Sequence, residues 1–225
     1  MIMNFLLAAL FVFGSLQIAH AESVSQSSGT KVEQAVVELR ILKKERPEAE
    51  SKYKKKTQDF AGHAICSGSF IDDQGDIITA GHCAVDAQEI EVVTYDGKEY
   101  EAVILATSAI HDLALLHIDR RNTVYFQAAG SVTRGEKMFV LGSPLGISNS
   151  LSTGIVAKLD GDQTLLDCGV LPGNSGSAAY DSDYNMIGVV TAGYIVGLGT
   201  THLNIAQSLD AVWFFIIRAF SHLPQ

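Results

Sequence analysis

Cysteine is scarce in this 225-residue chain, which carries three thiols: Cys66, Cys83 and Cys168. No Cys-x-x-Cys and no histidine pair at ligand spacing occurs, so a zinc site has no sequence support and no metal is expected. Three cysteines allow three alternative single bridges, and sequence alone does not choose among them. Basic residues are also few and unevenly placed. Residues 22–60 hold nine Lys/Arg and seven Asp/Glu, which leaves 7 basic and 18 acidic residues, a net charge of −11, in residues 61–225. A surface of that sign repels nucleic acid and offers no basic stripe, so no nucleic-acid partner is expected. Long apolar runs are missing. Phe5 to Phe13 is shorter than the ~20 residues that cross a bilayer, and Gln17 and His20 interrupt its continuation. No internal repeat is visible.

What is present describes a globular chain: 47% hydrophobic and 18% charged residues, long enough for one sizeable unit or a pair of barrels. The short apolar run followed by Ala19-His20-Ala21 reads residues 1–21 as a secretory signal cleaved before Glu22. Met1-Ile2-Met3-Asn4 lacks the usual Lys or Arg, and a membrane anchor is the alternative. Export permits disulfides. The expected location is secreted or periplasmic, with no stable membrane insertion after signal removal.

Residues 22–30 are Ser-rich and polar. From Lys31 the apolar residues Val32, Ala35, Val36, Leu39 and Leu42 recur at spacings of three and four, which predicts a helix, and Pro47 breaks it. Lys52 to Lys56 holds four lysines, a solvated face. Residues 22–60 thus read as a charged, partly helical segment, a candidate pro-segment or tether lying on the acidic domain at 61–225.

Beyond Gly62 the texture changes to short strands: Ile65 to Ile71, Asp76 to Thr79, Glu89 to Tyr95, Glu99 to Thr107, Leu113 to Ile118, Lys137 to Leu141, Leu151 to Lys158, Thr164 to Cys168, Met186 to Thr191 and Thr201 to Ile205. Asp72-Asp73-Gln74-Gly75 is a turn and Asp96-Gly97 a hairpin signal. Many short strands at regular spacing predict an all-β sandwich or barrel. Ser208 can cap a final helix with the apolar face Leu209, Val212, Trp213, Ile216 and Ile217.

Three stretches carry chemistry in the order His, Asp, Ser: Thr79-Ala80-Gly81-His82-Cys83, His111-Asp112-Leu113-Ala114 and Leu171-Pro172-Gly173-Asn174-Ser175-Gly176-Ser177. A serine hydroxyl is a weak nucleophile and needs a base. Histidine suits that role, and a buried carboxylate fixes its tautomer. Ser175, His82 and Asp112 fill these positions. The oxyanion formed on attack needs preset donors, and the amides of Gly173 and Ser175 are the natural pair.

These motifs, together with Ser67-Gly68-Ser69-Phe70-Ile71, Gly75-Asp76-Ile77-Ile78, Leu141-Gly142-Ser143-Pro144-Leu145-Gly146 and Ser152-Thr153-Gly154-Ile155-Val156, resemble a trypsin-like (chymotrypsin-fold) serine protease of the HtrA/Deg type over residues 62–217. The resemblance implies two six-stranded antiparallel β-barrels with the site between them, no cofactor, and protein or peptide substrates. It implies that Thr191, Ala192 and Gly193 pair with substrate backbone, and that Gly169 and residues near His202 wall the P1 pocket. No Asp occupies the pocket base, so a small or aliphatic P1 residue is expected, with an acidic one as the His202 alternative. It also implies a Cys66–Cys83 bridge, worth about 3 kcal/mol for such a loop, leaving Cys168 as a small buried hydrophobe. Two departures stand out: no Ile-Val-Gly-Gly activation site is visible, and no PDZ domain follows in the roughly 50 residues after Ser175. Oligomeric state is not legible.

Taken singly, Gly-Asn-Ser-Gly can be a turn, His82 a core histidine and Asp112 a strand-start cap; order and context argue for a site. A histidine-last esterase fails on chain order. A latent or inactive domain acting as a protein-binding module is the remaining alternative. His63, His111, His117 and His222 have no matching partners and read as structural or exposed, and Asn149, Ser150 and Ser152 as loop residues.

Overall fold

The computed structural model describes residues 32–43, 63–121, 124–196 and 199–222. The expected signal at 1–21 and the lysine run at 52–56 lie outside the described residues. Thirteen strands among the described residues form two units. The first contains β1 (Val36–Lys43), β2 (Ala64–Phe70), β3 (Asp76–Ala80), β4 (Ala87–Val93), β5 (Glu99–Glu101), β6 (Val103–Ser108) and β7 (Leu113–His117), in the order β5-β4-β1-β2-β3-β7-β6. The outer two are consecutive in sequence, parted only by Ala102, whose N–H bonds Ile90 O at 2.9 Å. They are the two edge strands of a curled seven-stranded sheet, a half-barrel beside the closed one. The second unit, β8 (Lys137–Gly142), β9 (Ser150–Asp160), β10 (Gln163–Cys168), β11 (Ala178–Tyr180), β12 (Met186–Val196) and β13 (Gly199–Ser208), is a closed barrel in the order β10-β13-β12-β11-β8-β9.

Alternation along the strands builds the cores. In β7, Ala114 and Leu116 face the first unit's interior, while Leu113 and Leu115 join a second cluster between the units. Ile77 and Ile78 of β3 divide the same way. Leu141, Ala178, Tyr180 and Val189 complete the intervening cluster from the other side, and Met138, Val140, Val156, Leu166 and Ile187 fill the closed barrel. The final helix, α2 (Leu209–His222), starts with the Ser208 hydroxyl accepting from Ala211 N at 3.3 Å. Val212, Phe215, Ile216 and Ala219 seal the seam, whereas Trp213 and Ile217 of the expected apolar face are exposed.

The expected N-terminal helix is corrected. Beyond a single 3-10 turn at Glu33–Ala35, residues 36–43 are a strand paired on both sides, with β2 and with β4. The spacing of three and four competes with a true alternation: Val37, Leu39 and Ile41 are essentially unexposed inside the first unit. Two rows of ladder hydrogen bonds and β-branched packing outweigh helix propensity. The folded unit therefore starts before residue 61, and a detachable segment reaching residue 60 would remove a central strand. The three-residue β11 has no counterpart among the expected strands.

Candidate active site

β3 delivers the chain to a single helical turn, α1 (Gly81–Ala84), which carries His82. Asp112 stands just before β7, the strand paired with β3, so antiparallel pairing brings the two loops together. The contact is dense. Gly81 N donates to Asp112 O at 2.8 Å, His82 N to Asp112 Oδ1 at 2.7 Å, and His82 Nδ1 lies 2.8 Å from Asp112 Oδ2. Asp112 adopts φ +49° to make this turn. A Cβ on Gly81 would stand 2.9 Å from Leu113 N, so glycine permits the approach. The expected burial of the carboxylate is not found: the side chains of His82 and Asp112 are 47% and 37% exposed. Lys43, ending β1, donates to His82 O at 2.9 Å.

The loop bearing Ser175 is held by its carbonyls. Asn174 N donates to Leu171 O at 3.0 Å across a turn with Gly173 at φ +103°, a conformation that favours glycine. Pro172 O accepts from Leu145 N at 2.7 Å, Gly173 O from Ser67 Oγ at 2.8 Å, Asn174 O from Ser177 N at 3.0 Å and Ser175 O from Ser67 N at 2.8 Å. In a trans peptide the N–H points opposite the C=O. The carbonyls of Pro172 and Asn174 are engaged behind the loop, so the amides of Gly173 and Ser175 face away from those partners. Among the described residues neither amide has an acceptor.

Ser175 is partly buried, and Cys83 Sγ, on the residue after His82, is 3.9 Å from Ser175 O. No hydrogen bond joins Ser175 Oγ to His82 among the described residues. Cys66 and Cys83 form a disulfide, which ties β2 to α1 and consumes the thiols that would otherwise make a compact Cys66/His82/Cys83 group.

Gly169 and His202 share one depression of about 250 Å³ with Pro144, Ser152, Val170, Leu171 and Asn174. Ser152, which falls within the expected strand Leu151 to Lys158, belongs to β9 and lines this pocket. Larger depressions, of about 320 Å³ beside Phe214 and about 490 Å³ beside Trp213, are lined by neither Ser175 nor His82. On β12, Thr191 is buried and its Oγ1 accepts from Gln207 Nε2 at 3.2 Å, whereas Ala192 and Gly193 are exposed. Pairing with the β11 side ends where Gly176 N meets Val190 O at 2.7 Å. Among the described residues, 191–193 therefore keep one strand edge without a partner strand.

Three residues differ from expectation, the first being His111, whose Nε2 lies 3.5 Å from Asp162 Oδ2. His117 has a partner: its Nδ1 is 2.7 Å from Oδ1 of the buried Asp76, a carboxyl pushed up by burial and pulled back by this histidine. The pair sits at the opposite end of β7 from Asp112, with no serine attached. Ser67 is in sequence only one member of a motif, yet it contacts the Ser175 loop at two atoms; a serine between a cysteine and a glycine carries no signal of that.

A family model for the trypsin-like peptidase domain matches residues 66–189, more than half of the chain. Among curated relatives, a probable periplasmic serine endoprotease DegP-like from Pseudomonas putida is 29% identical over 157 residues, covering 65% of this chain and 33% of that protein. Protease Do-like 1, chloroplastic, from Arabidopsis thaliana is 26% identical over 162 residues, covering 65% and 37%. The chain thus spans about a third of the length of these relatives. In fold it is similar to an HtrA-type protease AlgW with tripeptide (TM-score 0.73, 22% identity, 87% of this chain and 64% of that one) and to the serine endoprotease from Yersinia pestis (TM-score 0.72, 20% identity, 87% and 68%). With two β-barrel units meeting at the His82–Asp112 pair and the Ser175 loop, the chain belongs to the trypsin-like peptidase family, and its relatives there are serine proteases of the HtrA/DegP type.

Proposed function

We propose that the chain is a serine endopeptidase acting through His82, Asp112 and Ser175. The observation that carries this reading is the Asp112–His82 contact at 2.8 Å beside a serine loop whose two amides have no acceptor among the described residues. Ser175 Oγ attacks the scissile carbonyl carbon as His82 Nε2 takes the hydroxyl proton. Asp112 holds the Nδ1 proton and offsets the imidazolium charge. The N–H groups of Gly173 and Ser175 donate to the oxyanion. Collapse expels the amine, protonated by His82, and leaves an acyl-enzyme that water hydrolyses by the same base. The Ser175–His82 hydrogen bond forms on substrate binding, since catalytic hydrogen bonds are commonly long in unliganded sites.

The edge at Thr191, Ala192 and Gly193 pairs with substrate backbone, and the depression at Gly169 and His202 receives P1. Pro144, Val170 and Leu171 give it apolar walls, and no Asp, Glu, Lys or Arg among the described residues lines it, which supports a small or aliphatic P1. The apolar N-terminal run, the Cys66–Cys83 bridge and the periplasmic description of relatives support an extracytoplasmic location. The reaction calls for no cofactor.

The test is labelling of the full chain by a fluorophosphonate probe. Labelling of the wild type and its loss in Ser175→Ala is the expected outcome. A folded wild type that is not labelled would move the reading to a latent or binding domain.

A further inference from the structure

We infer that Ser67, on β2 of the first unit, is a positioning residue that sets the oxyanion donors of the second. The inference rests on the proposed role of Gly173. Ser67 is fully buried and every polar atom it carries is engaged. Its N–H donates to Ser175 O at 2.8 Å and its hydroxyl to Gly173 O at 2.8 Å. The same hydroxyl accepts from Ser143 N at 2.9 Å, and Ser67 O accepts from Thr79 Oγ1 at 2.7 Å. One residue therefore grips both ends of the segment 173–175, and also the strand that leads to His82.

The hydroxyl matters separately from the backbone. Ser67 N–H fixes Ser175 whatever the side chain. Oγ holds the Gly173–Asn174 peptide at its carbonyl while Leu171 O holds it at its N–H, and that peptide shares the Gly173 α-carbon with the N–H proposed to meet the oxyanion. Leu145 N still holds the peptide that carries the Gly173 N–H, through Pro172 O at 2.7 Å, but glycine at φ +103° has the widest conformational freedom of any residue, so losing the partner on its carbonyl loosens the Gly173 unit and the aim of its N–H. Gly142 makes room for the arrangement. A Cβ there would overlap Ser177 Oγ and stand 2.8 Å from Ser67 Oγ and from Asn174 Oδ1.

The experiment compares Ser67→Ala with wild type in three readouts: peptide turnover, affinity for a peptide boronate that mimics the tetrahedral state, and amide hydrogen exchange. Loss of preset oxyanion donors should lower kcat and weaken the boronate together, by about 10- to 100-fold, with KM shifted less than about threefold. Exchange should accelerate across 171–176 and not in the barrel strands. Ser67→Thr, which keeps the hydroxyl, should lie closer to wild type. Ser67→Gly, which keeps the backbone donor to Ser175, is the second variant should Ser67→Ala not fold. Boronate affinity and kcat within about twofold of wild type, or a kcat loss that only follows the unfolded fraction, overturns the proposal. A wild type that takes no fluorophosphonate defeats the peptidase reading instead. The clamp is then judged on exchange alone, where unchanged rates at 171–176 overturn it.

Discussion

Asp112 holds His82 at two points at once, its Oδ1 accepting the backbone N–H at 2.7 Å and its Oδ2 facing Nδ1 at 2.8 Å. The carboxylate thereby fixes the α1 backbone and the imidazole with one side chain. Asp112→Asn keeps the shape but presents a donor where an acceptor is needed. It should lower kcat by about 10³- to 10⁴-fold, the scale seen for the corresponding change in other triads, with a much smaller effect on KM. Steady-state kinetics on a fluorogenic peptide checks this.

Gly173 is a position where a side chain is poorly tolerated. At φ +103° an added Cβ is strained, and it would overlap Ser143 O and stand 2.9 Å from Leu145 N. Gly173→Ala should therefore cost about 1–3 kcal/mol of stability and displace the proposed oxyanion donor. Chemical denaturation and kcat should both register the change, with the larger relative loss in kcat.

Gly169 behaves oppositely. A Cβ there meets nothing within 4 Å, and its φ is not in the left-handed region. Gly169→Val should leave the melting temperature nearly unchanged while narrowing the depression it shares with His202. Fluorophosphonate labelling should persist, while cleavage of peptides with larger P1 residues should fall well below that of Ala-P1 peptides. Equal losses for all P1 residues would remove Gly169 from the pocket.

Cys168 is buried, and burial pushes its thiol up to about 11; the nearby Asp167 adds to this and Asn204 opposes it. The neutral thiol is the form the fold favours. Stability linked to it is complete below the unfolded thiol pKa, and it falls as rising pH ionises the unfolded thiol, until the folded one ionises near 11. At pH 8 the native protein should therefore resist alkylation that denatured protein accepts at once, and Cys168→Ala should keep activity. Mass spectrometry after iodoacetamide treatment reads the first and a peptide assay the second.

The bridge between Cys66 and Cys83 spans a separation of 17 residues. Removing it with a Cys66→Ser/Cys83→Ser pair should cost about 3 kcal/mol in the chain-entropy model. Because the bridge ties β2 to the turn that carries His82, activity near the new melting transition should be lost with the fold. Denaturant curves in the presence and absence of reductant measure the difference.

Most of the second barrel, β11 excepted, is legible in the sequence because its strands are short β-rich runs whose loops carry Gly, Asp and Asn at the turns. The His82, Asp112 and Ser175 stretches are legible for a different reason: each has its own local chemistry and they occur in a fixed order. β1 is not. Val32, Ala35, Val36, Leu39 and Leu42 satisfy a helical period, while Val37, Leu39 and Ile41 satisfy a strand period. A short sequence window cannot weigh the two ladders, with β2 and β4, that decide between them. The same limit hides Ser152 in the pocket wall and His117 against Asp76, a pair 41 residues apart.

Taken alone, the sequence determined which residues are the candidate nucleophile, base and carboxylate, the β character of residues 64–208 and the capped helix after Ser208, since these depend on local pattern and motif order. Only the tertiary structure decided that residues 36–43 are a central strand, that Asp112 is half open to solvent, and that Ser67 grips the loop around Ser175 from the other unit. Each of those depends on contacts between segments tens of residues apart, whose free energy appears only when the strands are paired and the buried polar atoms have found their partners.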